Sequence, residues 1–294
     1  MAEWCKANGV PFILDNPNGH IRNVRTVYQR ESWRWCSTPY LGHPTESMVE
    51  RVEKEYSLAA QIRVSSNFAK ETMVRRGVPR EKIHVIPQFL NIDRFRQPES
   101  VAPARTDGPL RVCFVGSLDL RKGFVYLLRA IRKVGSQHFT VRFVGNTGDP
   151  WCRRLFAREA RGLSVELLPG DPVPVYHWAE VAVTPSLEDG FGFVVAEAMA
   201  SGTPVIVSDQ CGAAEWVEPD ISGWVVPSRS EPSLDWHVHV RQEDLLAQYL
   251  QLALDNRARL ADMGRAALYS VIRCSEKSKS ELAQWFYFNT LVAP

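Results

Sequence analysis

The chain has 294 residues, 35 Lys plus Arg and 33 Asp plus Glu, for a formal net charge of +2; at ~150 residues per domain it holds two domains or one large one, and so even a balance argues against a protein that coats nucleic acid. A composition 45% hydrophobic and 23% charged can bury a core and excludes disorder as the main state. No apolar run reaches the ~18 residues of a membrane span, MAEWCKANGVPF at the start has no apolar leader region, and Cys5, Cys36, Cys113, Cys152, Cys211 and Cys274 form neither a CxxC nor a zinc-ligand spacing, so they read as reduced thiols of a cytoplasmic protein with no expected metal.

In chain order, PFILDN (11–16) predicts a strand, and Pro44 to Ala60 a helix carrying Met48, Val49, Val52, Tyr56 and Leu58. QIRVSS (61–66) predicts a strand whose Ser66 caps a helix over Asn67–Arg76, stopped by Gly77. KIHVIP (82–87) is a further strand, and 97–109, rich in Pro, Ser and Ala, reads as a linker. Beyond it, RVCFVG (111–116), TVRFVG (140–145), SVELL (164–168), EVAVTPS (180–186) and TPVIVS (203–208) are predicted strands, with helices over Phe124–Val134 and Gly192–Ser201. Val-rich strands alternating with helices imply an α/β protein with parallel sheets covered on both faces. The organisation expected is a partial domain at 1–96, a linker at 97–109 and a fuller domain at 110–294 whose last helices cross back to the first. Ligands of such sheets bind beyond the carboxyl ends of the strands, so the loops 116–123, 145–150, 169–175 and 185–192 should share one edge.

Two of those loops carry candidate chemistry. GSLDLRKG (116–123) follows a strand and opens a helix. Its glycines let the backbone approach a phosphate, the helix N-terminus favours negative charge, and Arg121 and Lys122 suit a diphosphate. It is neither GxGxxG nor GxxxxGK[ST]; a solvated surface turn is the alternative. In PSLEDGFGFVVAEAMASGTPVIVSD (185–209), Gly190 and Gly192 flank Phe191 in a loop whose amides suit a ligand. Glu197 follows within an apolar helix, where an unpaired carboxylate is costly to bury. It therefore points outward or meets a hydrogen-bonding partner such as ribose hydroxyls. A helix cap at Asp189 with an exposed Glu197 is the alternative.

This second segment resembles the acidic motif of the family 4 retaining glycosyltransferases, an acid, seven residues and a Glu, followed by Ala-Met-Ala and Gly-x-Pro-Val-Ile. VGSLDLRKG (115–123), the Gly212–Glu215 pair, GWVVP (223–227) and IHVIP followed by IDRF (83–95) match that family in order. The resemblance implies the GT-B fold of two Rossmann-like domains and a nucleotide diphosphate sugar as donor. By it, Lys122 with Arg121 neutralises the diphosphate, Glu197 binds the ribose, and Asp189 meets hydroxyls of the transferred sugar. The amides of Gly190–Gly192 hold sugar or phosphate, and Gly116 permits close approach. Ser117 stands where many members place a phosphate-binding Arg, and the first acid is Asp189 with Glu188 beside it. The family's glycine-rich opening strand has no counterpart here, which implies an incomplete N-terminal domain: a partial product, or one half completed by a partner chain.

Asn16 and His20 follow the first strand, where related enzymes place an acceptor-side His; His20 would hydrogen-bond donor or acceptor, and a solvated loop His is the alternative. Segment 21–36, IRNVRTVYQRESWRWC, reads either as a basic aromatic face for an anionic lipid surface or a phosphate-bearing acceptor, or as a helix packed by its aromatics with its arginines in water. The function expected is hexose transfer to a hydroxyl of a glycan or lipid-linked acceptor. Two alternatives stay open: a non-catalytic nucleotide-sugar-binding remnant or subunit of a split enzyme, and another GT-B enzyme such as a sugar-nucleotide epimerase.

Overall fold

The structure, a computed structural model, describes residues 1–36, 43–96, 107–146, 149–228 and 242–291. Residues 97–106 of the expected linker lie outside the described residues. Two separate parallel sheets organise the chain, of three strands and six strands among the described residues.

The first domain contains α1 (Ala2–Ala7), β1 (Ile13–Asp15), α2 (Ile21–Cys36), α3 (Glu46–Leu58), β2 (Gln61–Val64), α4 (Asn67–Val74) and β3 (Ile83–Val85). Its strands lie in the order β1-β2-β3. Side-chain caps set the starts of α3 and α4. Thr45 accepts the Met48 amide, so α3 begins at Glu46 rather than Pro44. Ser66 accepts the Ala69 amide at 3.0 Å, where the sequence places that cap. Ile62, Val64, Ala69 and Met73 are fully buried between α4 and the sheet.

The second domain contains β4 (Leu110–Val115), α5 (Phe124–Val134), β5 (Phe139–Val144), α6 (Pro150–Glu159), β6 (Val165–Leu168), α7 (Val173–Trp178), β7 (Val181–Thr184), α8 (Phe193–Ala200), β8 (Val205–Ser208), β9 (Gly223–Val226), α9 (Gln242–Asp255) and α10 (Leu260–Leu291). The strand order β6-β5-β4-β7-β8-β9 reverses direction between β4 and β7. At such a switch point the outgoing loops diverge and leave a crevice for ligands. The five strands predicted in this half are all present, and α5 has its predicted bounds. Helices α6 and α7 and strand β9 are additions. Asp149 followed by Pro150 is a helix-start signal that marks α6, whereas α7 and β9 are too short for a periodicity to stand out.

Two helices tie the domains together. Val27 of α2 is 2% exposed in the same core as Val112, Phe114 and Tyr126 of the second domain. Glu31 of α2 accepts from the Tyr126 hydroxyl at 2.7 Å and from Trp35 Nε1 at 2.9 Å, and Arg129 stacks 4.3 Å from the Trp35 ring centre. Segment 21–36 is thus a helix packed through Val27, Tyr28 and Trp35, with Trp33 exposed, and it departs from its packed-helix reading in that its arginines are not simply left in water. Three of its arginines are engaged by carboxylates, Arg22 by Glu53 and Glu46, Arg25 by Glu46 and Arg30 by Glu31, and Arg34 lies over the Trp35 and Tyr126 rings. Helix α10 packs Ala267 and Val271 with Ala198 and Met199 of α8. It then reaches the first domain, where Ser275 Oγ accepts the Leu90 amide at 2.9 Å and Trp285 lies 6.5 Å from His84. No described helix is long and apolar enough to cross a membrane.

Candidate functional site

The loops after β4 and β7 meet at the switch point. Gly116 donates to Val144 O and Leu118 to Asn146 O, both at 2.8 Å, which fixes the start of the first loop to the end of β5. Ser117 is half-buried beside it and its carbonyl accepts the Asp119 amide at 2.8 Å. Asp119 Oδ1 accepts the Arg121 amide at 2.7 Å and caps a 3-10 turn over Leu120–Lys122. Gly123 closes that turn at φ 73°, and a Cβ there would lie 2.1 Å from Pro185 O. Only glycine meets both conditions. The Leu187 amide donates to Arg121 O at 2.8 Å, joining the two loops directly.

Each cation of the first loop faces an acid of the second. Arg121 Nη1 donates to Glu188 O at 2.6 Å and to Glu188 Oε2 at 3.2 Å. Lys122 Nζ pairs with Asp189 Oδ2 at 2.5 Å. Glu188 is fully buried, and that burial raises its pKa above the ordinary carboxylate range. Burial is the largest single influence on Arg121 and works against its charge, but Glu188, Tyr28 and Asp189 together outweigh it and the guanidinium pKa is raised. Arg121 is therefore anchored by main chain and side chain together, whereas Lys122 is held by one carboxylate oxygen. Of the two cations expected on a diphosphate, Lys122 changes partner at the smaller loss.

The second loop is held by its own backbone. Asp189 donates to Gln210 O at 2.8 Å, and Gly212 donates to Asp189 O at 2.9 Å. Phe191 is 4% exposed and packs edge-on against Phe193 and Trp216 at 5.1 and 5.0 Å. Its ring therefore anchors the loop. Gly192 is the N-cap of α8. Glu197, one turn into α8, is half-buried, and its Oε2 accepts the Tyr176 hydroxyl at 2.9 Å. Burial pushes its pKa up. Of the two readings of Glu197, outward or hydrogen-bonded, the second is met in part by Tyr176 of α7, a residue carrying no local signal. If Glu197 also receives ribose hydroxyls, Glu197→Gln should weaken nucleotide-sugar affinity about tenfold in calorimetry with an unchanged melting curve, because an amide accepts less strongly than a carboxylate. Unaltered affinity would remove Glu197 from the site.

The first domain presses on the acidic loop. Ser66 Oγ donates to Gly190 O at 2.6 Å. Glu215 accepts from Asn67 Nδ2 at 2.9 Å and from the Phe68 amide at 3.0 Å, at the start of α4. His20 is 1% exposed and so is not the solvated loop residue of its alternative reading, and its hydrogen bonds to Thr72 and Arg22 lie within the first domain. Its Nδ1 accepts the Arg22 amide at 3.1 Å, its Nε2 lies 3.7 Å from Glu53 Oε1, and its ring packs 5.0 Å from Tyr56. Burial lowers its pKa to about 4 from 6.5. A folded-state pKa below the unfolded value means that the unfolded chain binds the extra proton first. The contribution of neutral His20 to stability is therefore complete above pH ~6.5 and lost as pH falls toward ~4. Denaturant midpoints measured from pH 7 to pH 4 should fall for the wild type and fall less steeply for His20→Asn; parallel slopes would contradict this.

Among the described residues no three His, Cys, Asp or Glu side chains are grouped to hold a metal ion. Residues 109–239 match the sequence model of the family Glycosyl transferases group 1, so this segment of the chain carries a domain of that family. A D-inositol 3-phosphate glycosyltransferase of Xylanimonas cellulosilytica is 33% identical over 224 residues, covering 69% of this chain and 51% of the relative. An uncharacterized glycosyltransferase of Methanocaldococcus jannaschii is 31% identical over 199 residues, covering 62% and 50%. The chain spans about half the length of these relatives. Among solved structures, sucrose-phosphate synthase of Thermosynechococcus elongatus superposes with a TM-score of 0.74 at 22% identity, over 99% of this chain and 71% of that one. The HepE protein of Anabaena in complex with UDP-glucose gives 0.68 at 17% identity, over 96% and 75%. At such identities the likeness establishes the fold, which is the GT-B arrangement.

Proposed function

We propose that this chain, with its glycosyl transferases group 1 domain, is a family 4 retaining glycosyltransferase that moves a hexose from a nucleotide diphosphate sugar to a hydroxyl of a glycan or lipid-linked acceptor in the cytoplasm. The observation that carries this reading is the pair of cations, Arg121 and Lys122, set against Glu188 and Asp189 across the crevice between β4 and β7. A diphosphate takes Lys122, and the hydroxyls of its sugar take Asp189. The sugar–phosphate C–O bond breaks, and Lys122 stabilises the charge that develops on the departing diphosphate. The acceptor oxygen bonds to the anomeric carbon from the leaving-group face, and its proton passes to the phosphate oxygen. In this reading neither a protein nucleophile nor a metal is needed, since the cations are supplied by the turn. The solved HepE structures with UDP and UDP-glucose support a nucleotide-sugar donor.

Calorimetry with UDP-, GDP- and ADP-sugars, followed by a transfer assay in which the product's anomeric configuration is read by NMR, tests the proposal. No binding of any of the three, or an inverted product, would refute it. The three-stranded first sheet, against six strands in the second among the described residues, favours a second reading in which this chain binds donor and a partner chain completes the acceptor side. Donor binding without transfer would select that reading.

A further inference from the structure

We propose that Tyr28 of α2 is a positioning residue for the donor diphosphate, so that the cation-bearing turn of the second domain takes its geometry from a helix of the first; this rests on the reading that residues 116–123 receive a diphosphate. Tyr28 is 8% exposed, and its hydroxyl donates to Asp119 Oδ2 at 2.5 Å. The other oxygen of that carboxylate, Oδ1, accepts the Arg121 amide at 2.7 Å and so caps the turn that displays Arg121 and Lys122. One carboxylate thus joins the phenol of the first domain to the backbone of the cation turn. Burial, with the Asp119 charge, pushes the phenol pKa up, so the group stays a donor at neutral pH.

The helix does not depend on this phenol for its docking. Val27 lies in the second domain's core, and Glu31 holds Tyr126 and Trp35. Tyr28→Phe therefore keeps the ring and the helix in place and removes only the hydroxyl. Without it, Asp119 loses a donor, its carboxylate is free to rotate, and the turn carrying Lys122 loosens. The cost falls on a ligand that needs the turn's cations in register, and it spares a ligand that carries no phosphate.

Calorimetry on the full chain tests this with UDP-glucose, GDP-mannose and ADP-glucose, and with uridine, guanosine and adenosine as their phosphate-free counterparts. Tyr28→Phe should weaken the sugar nucleotide that the wild type binds about five- to tenfold and leave the matching nucleoside unchanged. Asp119→Asn should weaken the same ligand, and the double variant should bind no worse than Asp119→Asn alone, because both substitutions break one link. Equal affinity of Tyr28→Phe and wild type, equal loss for nucleoside and sugar nucleotide, or additive losses in the double variant would each overturn the proposal. Failure of the wild type to bind any of the three sugar nucleotides would instead sink the donor reading itself, and this inference with it.

Discussion

Lys122→Ala is expected to weaken binding of the preferred nucleotide sugar by about 10- to 100-fold while leaving the parent nucleoside's affinity unchanged, and Asp189→Asn is expected to move two ligands in opposite directions. The reason is the ion pair at 2.5 Å between Lys122 and Asp189. In the ligand-free site Lys122 already has a full counter-charge. A bare nucleoside diphosphate must take Lys122 from Asp189 and then sit beside an unpaired carboxylate, which repels it. A diphosphate carrying a sugar supplies phosphate for the lysine and hydroxyls for the carboxylate in the same event. Removing the acid's charge should therefore tighten the bare diphosphate several-fold and weaken the sugar nucleotide. Loss of the lysine removes a charge-assisted hydrogen bond, the source of the larger figure. Calorimetry of both variants with nucleoside, nucleoside diphosphate and nucleotide sugar separates these outcomes. Equal changes for all three ligands would show that the pair is structural only.

Gly190→Ala is expected to lower turnover about 100-fold and to open the two domains. A Cβ at Gly190 would lie 2.3 Å from Pro17 O and 2.4 Å from Asn18 Cα, both backbone atoms of the first domain. No rotamer change relieves a clash between backbone and Cβ, so the domains must separate or the acidic loop must move. Either shift breaks the bond from Ser66 Oγ to Gly190 O. Displacements of ~1 Å at a positioned site can cost about two orders of magnitude in rate. The clash lies with the first domain, and the second domain's own core is untouched. Its circular dichroism should be retained while the radius of gyration from X-ray scattering rises. Unchanged scattering together with unchanged donor affinity would mean that the contact is not needed for the site.

The order of strands and helices was legible because each carries its burial pattern locally. Val112, Cys113 and Phe114 of β4, and Phe139, Val141 and Phe143 of β5, are buried, and their apolar runs end at glycines where the chain turns. The helix over Phe124–Val134 has its predicted bounds, since one full apolar face is written in its spacing. The acid–seven residues–acid spacing from Asp189 to Glu197 and the cations at 121 and 122 were likewise visible as residue types at fixed offsets from strand ends. Strand alternation further placed both loops on one sheet edge, because parallel strands must all present their carboxyl ends there.

Which groups face each other was decided only by the tertiary structure. Nothing local distinguishes Glu188, paired with Arg121, from Asp189, paired with Lys122; both are buried, the strand's alternation ends in the loop, and the fold alone assigns each acid its cation. Tyr28 meets Asp119 across 91 positions of sequence, and Ser66 meets Gly190 across 124. His20 sits in a loop, the usual place for a solvated residue, and is buried because α3 brings Glu53 and Tyr56 over it. Periodicity reports that a face is buried but not against what. By itself the sequence determined the elements, the edge on which a ligand binds and the residue types gathered there. The pairing of charges, and the dependence of one domain's turn on the other domain's helix, arise from contacts between distant segments that leave no trace in local pattern.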